Sequence, residues 1–180
     1  MLQTLRNAWK IPDLRKKMLY TILMLVIFRL GSFIPVPGID AEMIKQLMGG
    51  FDQGIQGLIN NFSGGALERA SIFAMSITPY INASIILQLL TVAIPALEKL
   101  AKEGEEGRKK IASYTRYVTV ILAFIQATGL FFSLRSAMTG DSGVFAYFVV
   151  TFTFTAGTAF LMWLGEEITE KGVGNGISLL

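Results

Sequence analysis

The sequence of 180 residues contains neither cysteine nor histidine. Disulfide bonds and thiolate metal sites are therefore excluded within this chain, and so is catalysis by a nucleophile–histidine pair. The acidic side chains gather in residues 98–106 and 166–170, among lysines and glycines, which is typical of a solvated surface. We expect no catalytic site, no metal and no cofactor in this chain, and a function other than that of an enzyme.

Charge is also scarce. Only 16% of the residues are charged, whereas 52% are hydrophobic, and a soluble domain has roughly a quarter of its residues charged. Four apolar runs, at 18–37, 72–94, 117–134 and 144–164, approach or reach the length of about 20 residues that spans a bilayer as a helix. The sequence therefore predicts an all-α, polytopic membrane protein with four transmembrane helices.

The segments between these runs differ in character. Residues 1–17 place leucine, alanine and tryptophan side chains near one helical face, which predicts an amphipathic helix on the membrane surface. Residues 60–71 contain two glycines and lead directly into the second run, which predicts a short re-entrant helix shielded by protein. The other segments are predicted to be an external loop at 38–59, a basic cytoplasmic loop at 95–116, an external loop at 135–143, and a cytoplasmic hinge with the start of a fifth span at 165–180.

Lysine and arginine indicate the orientation. Five lie in residues 1–17 and six in residues 95–116, but only two lie in residues 38–71 and one in residues 135–143. Since cytoplasmic segments carry the excess of positive charge, residues 1–17 and 95–116 are predicted to be cytoplasmic. Four spans then return residues 165–180 to the same side.

The second apolar run holds the most informative residues. Pro79 removes one backbone hydrogen bond, and such a break persists in lipid only where protein or water satisfies the backbone. Asn82 and Gln88 add polar amides, which usually face a bundle interior or a pathway. Ile77 and Ile81 share one helical face. By pattern alone two interpretations stay open: a kinked helix packed inside a bundle, or a helix that lines a pore or a substrate path.

Four stretches resemble the bacterial SecY family, whose members are the central subunit of the protein-translocation channel. They are FRLGSFIPVPGID, SGGALERASIFAMSITPYINASIILQLL, EGEEGRKKIASYTRY and FLMWLGEEITEKGVGNGIS, in the family's order. The resemblance covers nearly all of the chain and corresponds to the N-terminal half of a family member, which has ten spans in two inverted halves. It implies half of an inverted-repeat channel that moves unfolded secretory proteins across the membrane and membrane-protein segments into it.

The resemblance also implies roles for individual residues. Ile77 and Ile81 match the apolar pore ring around a translocating chain, and Asn82, Gln88 and Gln126 match the lateral gate, through which apolar segments leave for lipid. The plug, a short helix that seals the idle channel from the outside, corresponds to Asn60, Asn61, Phe62, Ser63, Gly64, Gly65, Ala66, Leu67, Glu68, Arg69, Ala70 and Ser71.

The partners that the resemblance implies are the SecE and SecG subunits, the SecA motor ATPase and the ribosome, signal peptides and nascent chains, the YidC insertase, and membrane lipids. The implied location is the bacterial cytoplasmic (inner) membrane, with both ends of this chain in the cytoplasm. The other pore-ring residues, the second gate wall and the long docking loops belong to parts of the family outside this sequence. We therefore expect that this chain alone does not form a channel.

Two other functions fit the same pattern. A secondary transporter also has broken helices, but it usually needs an intramembrane acidic residue, and none lies in the four predicted spans. A truncated membrane-protein client, captured during insertion, would have the same sequence and would differ only in the chains that surround it.

Arg29 lies inside the first predicted span, where a charge costs about 2.5–3.5 kcal/mol on insertion scales. We predict that it faces protein or a partner rather than lipid. Arg29→Leu should therefore make insertion of this span more favourable by up to about 3 kcal/mol and should disturb assembly of the bundle. Glycosylation mapping measures insertion, and the yield of assembled protein measures the second effect. Unchanged assembly in this variant would contradict the prediction.

Overall fold

The computed structural model describes residues 11–40, 42–44, 69–135, 138 and 143–180. Within these residues the chain forms helices and turns, with two isolated β-bridges and no strand. The helices are α1 (Pro12–Gly31), α2 (Thr78–Ala93), α3 (Pro95–Lys102), α4 (Glu105–Ser133), α5 (Val144–Lys171) and α6 (Gly176–Leu179). The predicted all-α class is confirmed. Most of the predicted surface helix at 1–17, of the external loop at 38–59 and of the plug at 60–71 lies outside the described residues.

Helix α1 begins at Pro12 and continues without a break through the predicted boundary at residue 17. Proline suits the start of a helix because its missing N–H needs no partner there. The helix ends at Gly31, before the predicted end of the first span at residue 37, because Pro35 and Pro37 cannot continue it. Arg29 consequently lies in the last turn, where its charge meets the negative end of the helix dipole, and not at mid-helix.

Helix α2 begins later than the predicted second span. Residues 72–77 form turns, and the helix starts at Thr78. Pro79 in its first turn and Pro95 just after its end set both bounds, since proline starts a helix well but cannot extend one. Helix α3 follows at 101° to α2.

The predicted loop at 95–116 is almost entirely helical. Helix α3 and the first part of α4 enclose a single turn, in which Gly104 has a φ of +80°. Glutamate, lysine and arginine are good helix formers, and Glu98 pairs with Lys102 one turn later. The charged segment is therefore a helical hairpin, and α4 begins at Glu105, well before the predicted start of the third span at residue 117.

Length and composition identify fewer spans among the described helices than the four that the sequence predicts. Two of the described helices, α4 and α5, are long and apolar enough to cross a membrane alone, and the bent pair α2–α3 adds a third if it is one span. Helix α1 has 20 residues, which suffices in length, but only eleven uncharged residues separate Lys17 from Arg29. Four spans therefore remain a prediction.

Helix α5 is the centre of the described bundle. It contacts α1, α2, α4 and α6, and α4 in turn contacts α2. Small side chains allow helices to approach closely in a membrane, where hydrophobic burial does not drive them together. Fully or almost fully buried positions on α4 and α5 include both such small residues and large apolar ones, namely Thr119, Ala123, Ala127, Val150, Thr151, Phe154, Thr158 and Leu161.

Two antiparallel bridges join the connecting segments. Pro35, just after α1, pairs with Ser71, just before α2, and Ile39 pairs with Met138. The second bridge brings together the segments predicted as the external loops at 38–59 and 135–143.

Phe154 on α5 is completely buried, whereas Phe145 on the same helix is 83% exposed. We predict that Phe154→Ala lowers the free energy of unfolding by about 3 kcal/mol, because it leaves a cavity beside Ala127, Phe131 and Val150. The matched control Phe145→Ala should change it by less than about 0.5 kcal/mol. Unfolding of the full-length protein in detergent measures both variants, and equal losses would contradict this packing.

Candidate functional site

The chain approaches α2 through a non-helical stretch, residues 70–77, which we call the lead-in segment. Its backbone pairs with the residues that follow α1: the Val36 N–H donates to the Ala70 carbonyl at 2.8 Å, and the Ile72 N–H donates to the Ile34 carbonyl at 3.0 Å. Ser71 is completely buried, and its Oγ accepts the Phe73 N–H at 3.1 Å. Several backbone groups of this break in the helix are thus satisfied by protein, as a membrane interior requires.

Phe73 fixes the middle of the lead-in segment. Its ring is stacked between Phe28 of α1 and Phe160 of α5, with both centroid distances at 5.9 Å. The side chain is buried and belongs to an apolar cluster with Met24, Leu161 and other residues of α1 and α5. The lead-in segment is therefore held between two helices that are far apart in the sequence.

The two predicted pore-ring residues lie one turn apart at the start of α2. The Ile81 N–H donates to the Ile77 carbonyl at 3.1 Å. Ile77 is only 5% exposed, while Ile81 is 43% exposed. A Cβ atom placed on Gly165 of α5 would lie 3.5 Å from Ile77 Cδ1, so Ile77 packs towards α5. The two isoleucines therefore lie on the same turn, but Ile77 is buried and Ile81 is exposed.

The predicted gate residues are spread over α2 and α4. Asn82 and Gln126 are half-buried, whereas Gln88 is exposed. The Gln88 Nε2 donates to Ser84 Oγ on its own helix at 3.3 Å. The described contacts therefore place these amides on the two neighbouring helices without joining them to one another.

Only the last three residues of the predicted plug, Arg69, Ala70 and Ser71, lie within the described residues. The Arg69 guanidinium lies 4.6 Å from the centre of the Phe33 ring. Arg29 lies 5.7 Å from the same ring centre, and its side chain is exposed. Cation–π contacts of this kind attach the end of the predicted plug to the end of α1.

Sequence reasoning missed the ion pair between Arg116 and Glu166. The Arg116 Nε donates to Glu166 Oε1 at 2.9 Å and joins α4 to α5. The sequence predicts that Glu166 lies on a solvated surface, but its side chain is only 24% exposed. The prediction was wrong because the partners are fifty residues apart, and the only available signal was that both charges lie at the edges of apolar runs.

Glu167 was also wrongly assigned to a solvated surface. The Tyr20 hydroxyl of α1 donates to Glu167 Oε2 at 2.7 Å, and Lys171 pairs with the same carboxylate. The side chain of Glu167 is only 17% exposed. Together with Arg116–Glu166, this contact fastens α1 and α4 to the same end of α5.

Hydrogen bonds to side chains of α1, of α5 and of the stretch itself hold the glycine-rich residues after α5. Asn175 caps α6, since its Oδ1 accepts the Ile177 N–H at 3.0 Å. Thr169 Oγ1 accepts the Gly176 N–H at 2.9 Å, and Thr21 Oγ1 of α1 accepts the Val173 N–H at 3.0 Å. The predicted hinge at 165–180 is thus fixed to α1 and to the end of α5. In the described part of the chain, no group of acidic side chains could hold a metal ion.

The sequence profile of the SecY family matches residues 71–180. This range contains nearly all of the lead-in segment and the helices α2 to α6. The chain belongs to the SecY family. The predicted resemblance to the SecY family is thereby confirmed.

Curated SecY relatives match over the whole chain. The protein translocase subunit SecY of Bacillus subtilis (strain 168) is 49% identical over 187 residues, and that of Streptomyces galbus is 48% identical over 193 residues. The alignments cover 100% of this chain, but only 42% and 44% of these two relatives. The chain therefore spans less than half the length of the curated SecY proteins it matches.

Solved channel structures share the fold. Sec61 in the canine ribosome–channel complex from the endoplasmic reticulum superposes with a TM-score of 0.62 at 20% identity, over 92% of this chain and 35% of that chain. A structure concerning the plug domain of SecY and the closed state of its channel gives 0.59 at 22% identity, over 92% of this chain and 34% of that chain. At these identities the likeness concerns the SecY fold alone.

We predict that reversing one charge of the Arg116–Glu166 pair destabilises the contact between α4 and α5. Arg116→Glu places two carboxylates together and should lower the free energy of unfolding by about 1 kcal/mol, since the arginine is half-exposed and the pair is partly screened. The double variant R116E/E166R should recover most of the loss. Thermal unfolding of the full-length protein in detergent measures this cycle. A double variant as unstable as the sum of its two single variants would show that the pair does not couple the helices.

Proposed function

We propose that this chain is the N-terminal half of the protein-conducting channel that moves unfolded secretory proteins across the bacterial cytoplasmic membrane and membrane-protein segments into it. One observation carries the proposal: in a chain of the SecY family, the second predicted span is interrupted at residues 72–77 and hydrogen-bonded there to the residues after α1, directly where Ile77 and Ile81 begin α2. The residues that follow α1 and the helix α5 hold this interruption, so protein contacts set the start of α2. A helix that lines a path needs its first turn to be set independently of the lipid.

The pore ring is proposed to contain Ile77 and Ile81. Branched apolar side chains offer no hydrogen bonds to water or ions, and hydrophobic constrictions close by dewetting. The same side chains deform around a polypeptide of any sequence. Ile77 packs towards α5, whereas Ile81 is 43% exposed, so Ile81 would present the larger surface to a translocating chain.

The plug is proposed to contain residues 60–71, whose last residues are bonded to the end of α1. Helices α2 and α4 are proposed to form one wall of the lateral gate. Asn82, Gln88 and Gln126 would supply polar groups to this wall, so that it tolerates both an aqueous path and a lipid face.

The proposed assembly follows from this half-channel role. SecE and SecG would complete the channel, and SecA or the ribosome would supply the signal peptides and nascent chains. YidC would receive membrane-protein segments, and membrane lipids would surround the bundle. The basic hairpin of α3 and the first part of α4 would lie in the cytoplasm with both ends of the chain. The chain would form part of the channel wall and would not act as an enzyme.

Site-specific crosslinking tests the proposed pore ring. The sequence lacks cysteine, so Ile77→Cys and Ile81→Cys introduce single reactive sites in this half of a full-length channel. A secretory precursor arrested during translocation should form crosslinks at both positions, because a ring must touch the chain that passes through it.

The matched control is Ile121→Cys on α4. This isoleucine is 59% exposed but lies in a groove between α4 and α5 with Phe152 and Thr155. It should give a several-fold lower crosslinking yield than position 81. If position 121 reacts and positions 77 and 81 do not, the assignment of the pore ring fails.

A further inference from the structure

We propose that the lead-in segment is a fixed anchor, in which Phe73 positions Ile77, and that it stays docked between α1 and α5 while the channel conducts. This inference rests on the proposed channel function and adds positioning residues to it: Phe73 itself and the two glycines that accommodate it, Gly31 and Gly157. None of these three residues is proposed to touch the translocating chain.

The aromatic stack holds the anchor from both sides. The Phe73 ring lies nearly parallel to those of Phe28 and Phe160, at interplanar angles of 11° and 3°. Phe160 in turn contacts Trp163, with centroids 5.6 Å apart. Contacts with an aromatic ring on each side restrict the tilt of the Phe73 ring and place the backbone at residue 73 between α1 and α5.

Two glycines show how closely the helices approach this segment. A Cβ atom on Gly31 of α1 would lie 2.1 Å from Phe73 Cε2, and a Cβ atom on Gly157 of α5 would lie 2.1 Å from the Ile72 carbonyl oxygen. The second obstacle is backbone and cannot rotate away. Any side chain at residue 157 would therefore displace the lead-in segment itself.

The position of the anchor is transmitted to the pore ring through consecutive turns. The Ala74 N–H donates to the Ser71 carbonyl at 2.9 Å, and the Ser76 N–H donates to the Phe73 carbonyl at 2.8 Å. Ile77 follows as the residue that caps α2. Only three residues, none of them glycine, separate Phe73 from Ile77, so a displacement of Phe73 is expected to move Ile77.

Two unfavourable backbone conformations indicate that the surrounding protein fixes the lead-in segment. Ala70 has a φ of +47° and Ser76 a φ of +52°, which is unfavourable for residues with a side chain. These are the two non-glycine residues with positive φ among those described, and both lie in the lead-in segment. Strained conformations persist where the surroundings determine them, and they are concentrated at functional sites.

The first test compares two glycine variants in the full-length channel reconstituted in proteoliposomes. Gly157→Ala should raise the ion leak per idle channel by about tenfold, because the overpacked contact shifts Ile77 and opens the ring. Gly129→Ala on α4 is the matched control, since a Cβ atom there meets nothing within 4 Å, and it should leave the leak unchanged. A purely structural role for Gly157 would lower the yield of folded channel but not raise the leak of each channel.

The second test does not depend on how well Gly157→Ala folds. Ile34 and Ile72 are joined by a backbone hydrogen bond beside the Pro35–Ser71 bridge, so cysteines at both positions are close enough for a disulfide. A fixed anchor tolerates this lock: I34C/I72C channels should translocate a secretory precursor at the same rate when oxidised and when reduced.

The outcomes of the two tests distinguish failure of the proposed anchor from failure of the proposed channel function. If the unmodified channel does not translocate the precursor, the proposed function fails and the anchor fails with it. If the unmodified channel translocates but the oxidised lock stops translocation, the lead-in segment moves and the anchor alone is refuted. A leak for Gly157→Ala no larger than that for Gly129→Ala also refutes the anchor alone.

Discussion

The structure depends on the need to satisfy backbone hydrogen bonds where water is absent. A chain that enters a bilayer can leave the helical conformation only if other protein supplies partners for the freed N–H and C=O groups. Here the break before α2 coincides with the break after α1. Residues 34–36 cannot form helix because of Pro35, and they offer their carbonyl and amide groups to residues 70–72. Each interruption thereby stabilises the other, and neither would persist alone.

The glycines of α1 and α5 determine where this paired interruption can lie. Gly31 and Gly157 leave space that Phe73 and the Ile72 carbonyl fill. Close packing of this kind replaces the hydrophobic driving force, which is weak between helices in lipid. The lead-in segment thus contributes to the contact between α1 and α5, although it belongs to neither helix.

Sequence patterns could predict the helices better than the contacts between them. The long apolar runs correctly indicated α4 and α5, because composition alone makes a spanning helix. The ends were displaced where charged residues such as Glu105 and Glu106 continue a helix that hydropathy alone would end. The apolar run predicts helix at 72–77, where the structure has turns, because the consequence of Pro79 depends on partners after α1 that the local sequence does not reveal. The sequence could not predict that Ile77 is buried and Ile81 exposed. Two residues on one helical face can be covered by different neighbours, and the pattern does not show which neighbours these are.

The ion pairs of α5 could not be predicted from the local sequence either. They also show that two kinds of contact hold different parts of this helix. Near Phe154 the helix is held by apolar and small side chains, whereas near Glu166 and Glu167 it is held by Arg116 of α4 and Tyr20 of α1. Polar contacts have a preferred geometry and therefore set the register between helices, while apolar contacts tolerate small shifts. Helix α5 is consequently aligned with its neighbours at one end and packed against the lead-in segment further along. Gly165, beside which Ile77 packs, directly precedes Glu166 and Glu167, so the position of Ile77 depends on the part of α5 that these polar contacts align with α1 and α4.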